Sequence, residues 1–274
     1  MKVTIMENIP FIKMHGLGND FVIVDIRESK YSFTNDEIRK IADRHKGVGC
    51  DQFVTIDFSN QADCFVRFYN ADGGQAGACG NASRCVAWLI MNENNDKSAS
   101  LETLGGILNC TRVGDELVSV DMGQALNSWQ DIPLSKDVDT LHLPVSSGQL
   151  KDGVAVSMGN PHAVFFVNDV DLIDLSHDGA ALEVNNLFPE KANISIAQII
   201  SENEIKLRVW ERGVGETSAC GTGACATAVA ANRRGLVGNK AKVCLPGGEL
   251  FISYEDNQVI MTGPVTTAFK GVLL

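Results

Sequence analysis

The chain has 274 residues, enough for one large or two ordinary domains, and its 45% hydrophobic and 21% charged residues predict a buried core. Its formal net charge of −11 argues against a nucleic-acid-binding surface, which needs clustered Lys and Arg. The sequence contains no run of about 18 apolar residues, so we predict no transmembrane helix. We read no secretory signal at the start, so we expect a cytoplasmic protein with reduced cysteines.

Apolar residues predict strands and helices in an order that occurs twice along the chain. The predicted strands are residues 21–24, 65–69, 163–167 and 206–210. The predicted buried helices are residues 84–92 and 224–234. Glycine-bearing hairpin turns are predicted at residues 105–106, 113–116 and 247–248. We therefore predict the α/β (α+β) class, with each half a set of antiparallel strands wrapped around one central buried helix.

The two halves match at a fixed offset, which indicates an internal duplication. Residues 66–81 align with residues 207–222 without a gap, and Cys79 falls on Cys220, 141 positions later (220 − 79). The same offset pairs other polar residues: Asn19 with Asn160, Gln52 with Asn193, and Asn70 with Glu211. The sequence thus predicts two similar domains of somewhat over a hundred residues each.

Cys79 and Cys220 each stand before a glycine where a predicted helix begins. The unsatisfied N–H groups and positive dipole end of a helix N-terminus favour a thiolate and bind a carboxylate. Gly80 and Gly221 let a ligand approach the backbone closely. Two such thiols on opposite faces of one carbon could remove a proton from one face and deliver one to the other. The pattern therefore predicts inversion of a small amino acid.

The sequence indicates neither a cofactor nor a metal. We find no Schiff-base lysine with a phosphate-binding motif, as a pyridoxal enzyme would need. The cysteines form no C-x-x-C pair and the histidines no H-x-x-x-H pair, so a structural metal site is not expected. Cys85 and Cys225 lie further into the predicted helices, where we expect them to pack in the core.

Motifs along almost the whole chain match one known family. They are residues 13–21 (KMHGLGNDF), 43–45, 47–52, 69–73, 79–81, 157–162 (SMGNPH), 211–213, 219–226 (ACGTGACA), 245–248 and 261–263. Through these motifs the chain resembles the diaminopimelate epimerase family. The sequence departs from the family pattern at Ala82, usually Gly, and at Ser218, often Gln, which puts substrate breadth and rate in question.

The resemblance implies interconversion of LL- and meso-2,6-diaminopimelate by a two-base thiol mechanism without a cofactor, in lysine and peptidoglycan precursor biosynthesis. It implies two pseudo-symmetric domains, residues 1–121 and 122–265, with residues 266–274 returning to the first. The active site would lie in the cleft between them. The resemblance also implies a homodimer that acts on a small molecule, and no nucleic acid or membrane partner is expected.

The resemblance assigns roles to the matching residues. Cys79 and Cys220 would be the two acid/bases, with His162 and Glu211 assisting them. The backbone at Gly80-Asn81 and at Gly221-Thr222 would hold the reacting carboxylate, and Arg212 the carboxylate at the non-reacting end. The remaining implied substrate contacts are Asn19, Gln52, Asn70, Asn160, Asn193 and Glu211.

Three alternatives stand beside this interpretation. A racemase for proline, 4-hydroxyproline or histidine could use the same fold, although Arg212 and the amide side chains favour a substrate with a second zwitterionic end. A thiol redox or metal-binding protein is disfavoured by the missing C-x-x-C. A non-catalytic binder would be expected to have lost one of the two cysteines, and both are present.

Overall fold

A computed structural model describes residues 8–29, 31–77 and 79–274. The chain divides by its internal contacts into two compact units. The first unit runs to Val120 and includes Pro264–Leu274, and the second comprises Asp121–Gly263.

The first unit contains a mixed sheet and two helices. Its elements, in chain order, are β1 (Ile9–Gly16), β2 (Asn19–Asp25), α1 (Asn35–Ala42), β3 (Gln52–Asp57), β4 (Cys64–Asn70), β5 (Gln75–Ala76), α2 (Gly80–Asn94), β6 (Ser98–Thr103), β7 (Gly106–Gly114) and β8 (Leu117–Gln124). The last residues of β8, from Asp121 onwards, belong to the second unit.

The second unit repeats this order of elements. They are β9 (Val154–Ser157), β10 (Pro161–Phe166), a 3₁₀ turn (Val170–Leu172), α3 (Leu175–Glu183), β11 (Asn193–Ser201), β12 (Glu204–Glu211), β13 (Gly215–Thr217), α4 (Gly221–Arg233), β14 (Lys240–Leu245), β15 (Gly248–Glu255) and β16 (Gln258–Pro264). The last strand, β17 (Thr266–Leu273), pairs antiparallel with β1 of the first unit.

The sheets are mixed, whereas the sequence predicted antiparallel strands alone. Strands β2 and β3 are parallel, as are β4 and β6, and the second unit has the equivalent parallel pairs β10/β11 and β12/β14. A parallel pair needs a long crossover, and one helix lies in each of these four connections. The apolar pattern of the sequence predicted α2 and α4 but not α1 and α3. Thr34 and Glu37 form a capping box at the start of α1, a signal that could have revealed it.

Strand register repeats at the offset found in the sequence. Phe21 stands opposite Gln52 in the first unit, and His162 stands opposite Asn193 in the second, each 141 positions later. Strand β4 meets β5 as β12 meets β13, with Phe68 opposite Ala76 and Val209 opposite Thr217. Equivalent residues therefore occupy equivalent places within their own units.

Helices α2 and α4 lie in the cores of their units and begin earlier than predicted. They start at Gly80 and Gly221, directly after Cys79 and Cys220, instead of at residues 84 and 224. Both cysteines have extended backbone and stand in the N-cap position. Cys85 and Cys225 are fully buried, as expected for core residues, and burial raises the pKa of Cys85 to about 12.

Candidate active site

The first half-site surrounds the half-buried Cys79. The Cys79 Sγ lies 4.0 Å from Oδ1 of Asn19, at the start of β2. The same Oδ1 accepts a hydrogen bond from Nδ2 of Asn81, in the first turn of α2, at 3.2 Å. Three of the predicted site residues thus meet at one oxygen atom.

The amino group of Asn19 contacts a charged cluster that the sequence analysis did not single out. Asn19 Nδ2 donates to Asp51 Oδ2 at 2.9 Å. Arg44 Nη2 lies 2.7 Å from carboxylate oxygens of both Asp51 and Asp20, and Lys13 Nζ lies 2.6 Å from Asp20. Burial raises the pKa of Asp20, but hydrogen bonds from Arg44 and Lys13 lower it more, so it lies well below its ordinary value.

Gln52 and Asn70 face each other across strands β3 and β4. Gln52 Nε2 donates to Asn70 Oδ1 at 3.0 Å. Gln52 Oε1 is buried and has no hydrogen-bond partner within the described parts of the chain. A buried acceptor of this kind is satisfied when a ligand brings an N–H group to it.

The second half-site surrounds Cys220, of which 4% is exposed. Its Sγ lies 3.7 Å from Thr222 Oγ1, which also accepts from Asn160 Nδ2 at 3.4 Å. Burial, followed by the neighbouring Glu211 carboxylate, raises the pKa of the Cys220 thiol well above its ordinary value, while the Gly223 amide and the Thr222 hydroxyl oppose this. The expectation of an easily ionised thiol is therefore wrong for Cys220, because desolvation and a like charge outweigh the helix terminus.

His162 supports Asn160 and is fully buried. Its Nε2 lies 3.0 Å from Asn160 Oδ1. Burial, with a smaller contribution from the positive charge of Arg212, lowers the pKa of His162 to about 3. The imidazole is therefore neutral at physiological pH, and it forms a hydrogen bond with Asn160 without carrying a positive charge.

Asn193 and Arg212 meet at the turn after β12. Asn193 is 3% exposed, its Nδ2 donates to the Pro161 carbonyl, and its Oδ1 accepts from the Arg212 backbone N–H, both at 3.0 Å. Its amide thus holds the turn that carries Arg212. The Arg212 side chain is exposed, with Nη1 donating to the Glu190 carbonyl at 2.9 Å.

The third position after each cysteine differs between the units. Ala82 is fully buried in the first turn of α2, whereas its equivalent in α4 is Gly223. A Cβ at Gly223 would lie 3.1 Å from Cys220 Sγ and from Val209 Cγ2, closer than nearly all real contacts. Ser218, another departure from the family pattern, is exposed.

Within residues 8–29, 31–77 and 79–274, His, Cys, Asp and Glu side chains form no group of three or more that could hold a metal ion. None of the helices in those ranges combines the length and apolar character needed to cross a membrane.

Comparisons with known proteins agree across nearly the whole chain. The diaminopimelate epimerase family model matches residues 11–127 and 154–268. A diaminopimelate epimerase from Rhodospirillum centenum is 50% identical over 96% of this chain and 91% of its own length. One from Phenylobacterium zucineum is 50% identical over 96% of this chain and 97% of its own.

Solved structures share the fold at low identity. A phenazine biosynthesis protein of the PhzF family from Bacillus anthracis has a TM-score of 0.70 at 16% identity, over 98% of this chain and 100% of that one. A hydroxyproline epimerase from Agrobacterium vitis has a TM-score of 0.70 at 13% identity, over 97% and 91%. The predicted α/β class and the predicted enzyme class, an epimerase and so an isomerase, are confirmed. With half of its residues identical to these relatives and the family model matching both units, the chain belongs to the diaminopimelate epimerase family.

Proposed function

We propose that this protein interconverts LL- and meso-2,6-diaminopimelate through the thiols of Cys79 and Cys220. The observation that carries the proposal is their equivalence: each is the N-cap of a buried helix, in the same register of its own unit. The mechanism requires the two thiols to reach opposite faces of one α-carbon. One thiolate removes the α-proton, and the opposite thiol delivers a proton to the other face.

The backbone after each cysteine is suited to the carboxylate next to the reacting carbon. Negative charge develops on that carboxylate as the α-proton leaves, and preorganised N–H groups stabilise it. Gly80-Asn81 and Gly221-Thr222 open the first turns of α2 and α4, where backbone N–H groups lack intrahelical partners. This stabilisation needs neither a pyridoxal cofactor nor a metal.

The two thiols have different neighbours, so different groups assist them in the proposed mechanism. The Glu211 carboxylate neighbours the buried Cys220 thiol, so it is the group to which this thiol can pass its proton. The neutral His162 holds Asn160, which in turn contacts Thr222 beside Cys220. Beside Cys79 lies the amide of Asn19, whose oxygen also accepts from Asn81.

The remaining side chains suit a substrate with a second amino-acid end. The exposed guanidinium of Arg212 is a donor for a distant carboxylate. The buried Gln52 Oε1, beside Asn70, is an acceptor for an ammonium group. Asn193 acts on the substrate through the Arg212 turn that it holds. Proline and hydroxyproline have no second charged end to use these groups.

Further parts of the proposal concern the setting of the enzyme. The reaction supplies meso-diaminopimelate for lysine and peptidoglycan precursor biosynthesis, in the cytoplasm. The protein works as a homodimer on a small molecule, without a nucleic-acid or membrane partner.

The test is exchange of the α-proton of LL-diaminopimelate in D₂O, with product stereochemistry resolved by chromatography. Wild type should incorporate deuterium as it forms the meso isomer. Cys79→Ala and Cys220→Ala should each reduce inversion by at least about 10²-fold, because positioned proton transfer contributes that much or more. Cys244→Ala, at a half-buried position in β14, is the matched cysteine control and should retain activity.

Two results would contradict the proposal in different ways. Near wild-type inversion by either single variant would rule out the two-thiol mechanism. Turnover of proline, hydroxyproline or histidine in place of diaminopimelate would leave the mechanism standing and replace the substrate.

A further inference from the structure

The amide of Asn19 is held in one orientation by Asp51. A carboxylate only accepts hydrogen bonds. Because Asp51 Oδ2 lies 2.9 Å from Asn19 Nδ2, it takes the amino group and turns the carbonyl oxygen of Asn19 the other way. That oxygen accepts from Asn81 Nδ2 at 3.2 Å and lies 4.0 Å from Cys79 Sγ.

The orientation of this amide matters for the thiol. An acceptor next to a cysteine favours the protonated S–H form, whereas a donor favours the thiolate. With its oxygen towards Cys79, Asn19 favours the thiol. A reversed amide would direct its N–H groups towards the sulfur and would favour the thiolate.

Asp51 is itself fixed by charged groups and backbone contacts. Arg44 Nη2 lies 2.7 Å from Asp51 Oδ1 and 2.7 Å from Asp20 Oδ1. The Asp20 N–H donates to Asp51 Oδ2 at 3.1 Å, and the Asp51 N–H donates to Asp20 Oδ1 at 2.9 Å. Lys13 contacts Asp20 from β1. Since hydrogen bonds from Arg44 and Lys13 hold the pKa of Asp20 well below its ordinary value, Asp20 keeps its negative charge at the pH of any enzyme assay.

We propose that Asp51, held by Arg44 and Asp20, is a positioning residue for Cys79, because it fixes the Asn19 amide with its carbonyl oxygen towards the thiol. The orientation follows from contacts within the first unit. Its consequence for epimerisation rests on the proposed function.

The variant that tests this is Asp51→Asn. Arg44 would keep its hydrogen bond to the one carbonyl oxygen that is left at position 51. The new amino group would then face Asn19 and favour the reversed orientation of the Asn19 amide. We expect Cys79 to react with iodoacetamide about threefold to tenfold faster at pH 7, as one hydrogen bond exchanged from acceptor to donor implies. The rate at Cys79 is followed by peptide mass spectrometry, which separates it from the other cysteines. With diaminopimelate, kcat/KM should fall about tenfold.

Three further variants make the test specific. Asp51→Glu keeps a group that only accepts hydrogen bonds and should restore the wild-type alkylation rate. Asp43→Asn is the matched control, because the Asp43 carboxylate accepts from the backbone N–H groups of His45 and Lys46 and not from the side chains of the cluster that the structure describes. Asn19→Asp places a carboxylate beside the sulfur and should slow alkylation about threefold or more, opposite in sign to Asp51→Asn.

The outcomes separate the inference from the function. A wild-type alkylation rate in folded Asp51→Asn would overturn the inference, even if its kcat/KM falls, because a loss of activity alone indicates general damage. Faster alkylation in Asn19→Asp would also overturn it, and this variant decides the matter if circular dichroism shows Asp51→Asn to be unfolded. If wild type fails to epimerise diaminopimelate, the proposed function fails while the alkylation result stands.

Discussion

The two half-sites have equivalent positions but different supporting groups. Asn19 is held by the carboxylate of Asp51 and faces Cys79 with its oxygen. Its equivalent, Asn160, is held by the neutral His162 and directs its amino group to Thr222. At the offset of 141, the positions of Asp20 and Asp51 are occupied by Pro161 and Ala192.

The comparison indicates that duplication kept the geometry and let the electrostatics diverge. The register of the strands and the starts of both helices are the same in the two units. In the first unit a carboxylate, that of Asp51, lies beside Asn19. In the second unit a carboxylate, that of Glu211, lies beside the Cys220 thiol. The two cysteines, although equivalent in position, therefore have chemically different surroundings.

Glu211→Gln should have the largest effect, because it gives the second half-site an amide where the first has Asn70. Loss of the carboxylate that can receive the Cys220 proton should reduce kcat about 10²-fold. Since the Glu211 charge raises the pKa of Cys220, its removal should lower that pKa and speed alkylation of Cys220 at neutral pH. Stopped-flow alkylation with peptide mapping measures this. Slower alkylation would show that Glu211 does not disfavour the thiolate.

Arg212→Met should have the next largest effect and acts on binding alone. The equivalent position in the first unit is Ala71, so this donor belongs to the second half-site only. We expect KM for diaminopimelate to rise about tenfold to a hundredfold with little change in kcat, as loss of a charged hydrogen bond predicts. Steady-state kinetics measure both constants. A large fall in kcat at unchanged KM would place Arg212 at the reacting end.

Gly223→Ala and Ala82→Gly exchange the residues at one equivalent pair. A methyl group at position 223 would lie 3.1 Å from Cys220 Sγ, so the sulfur must shift by a few tenths of an ångström. We expect kcat to fall about tenfold, since small misplacements of catalytic groups are costly. Ala82→Gly creates space and should change kcat less than about twofold. Equal losses in both variants would show that the two helix starts tolerate the same side chains.

His162→Gln should have the smallest effect on activity but a clear effect on stability. Burial lowers the pKa of His162 to about 3, below its unfolded value of about 6.5. Between these values the unfolded chain binds the extra proton, so this histidine destabilises the fold as pH falls below about 6.5. From pH 7 to pH 5, wild type should lose about 2 kcal/mol that His162→Gln retains.

Urea unfolding at the two pH values measures this difference. His45→Gln is the control, because His45 is exposed, and it should behave as wild type. The first unit carries Phe21 at the equivalent position, which does not titrate. An equal loss of stability in wild type and His162→Gln would show that His162 is protonated in the folded state.

The local sequence pattern predicted the equivalent residues of the two half-sites, but it did not predict all the helices and strand pairs. The duplicated cysteine motif and its offset predicted which residues are equivalent, because both are properties of the chain order. The helices α1 and α3 were missed, and with them the parallel strand pairs, since a short helix carries few periodic positions.

The sequence by itself determined the duplication, the family and the two cysteines at helix starts, because these depend on residue types at fixed spacing. Only the tertiary structure decided how the thiols are surrounded. Asp51 lies 32 positions from Asn19, and Glu211 lies nine positions before Cys220, yet each becomes a neighbour through strand pairing. Burial then reversed the ionisation expected for Cys220, because the cost of desolvating a charge depends on all the groups packed around it.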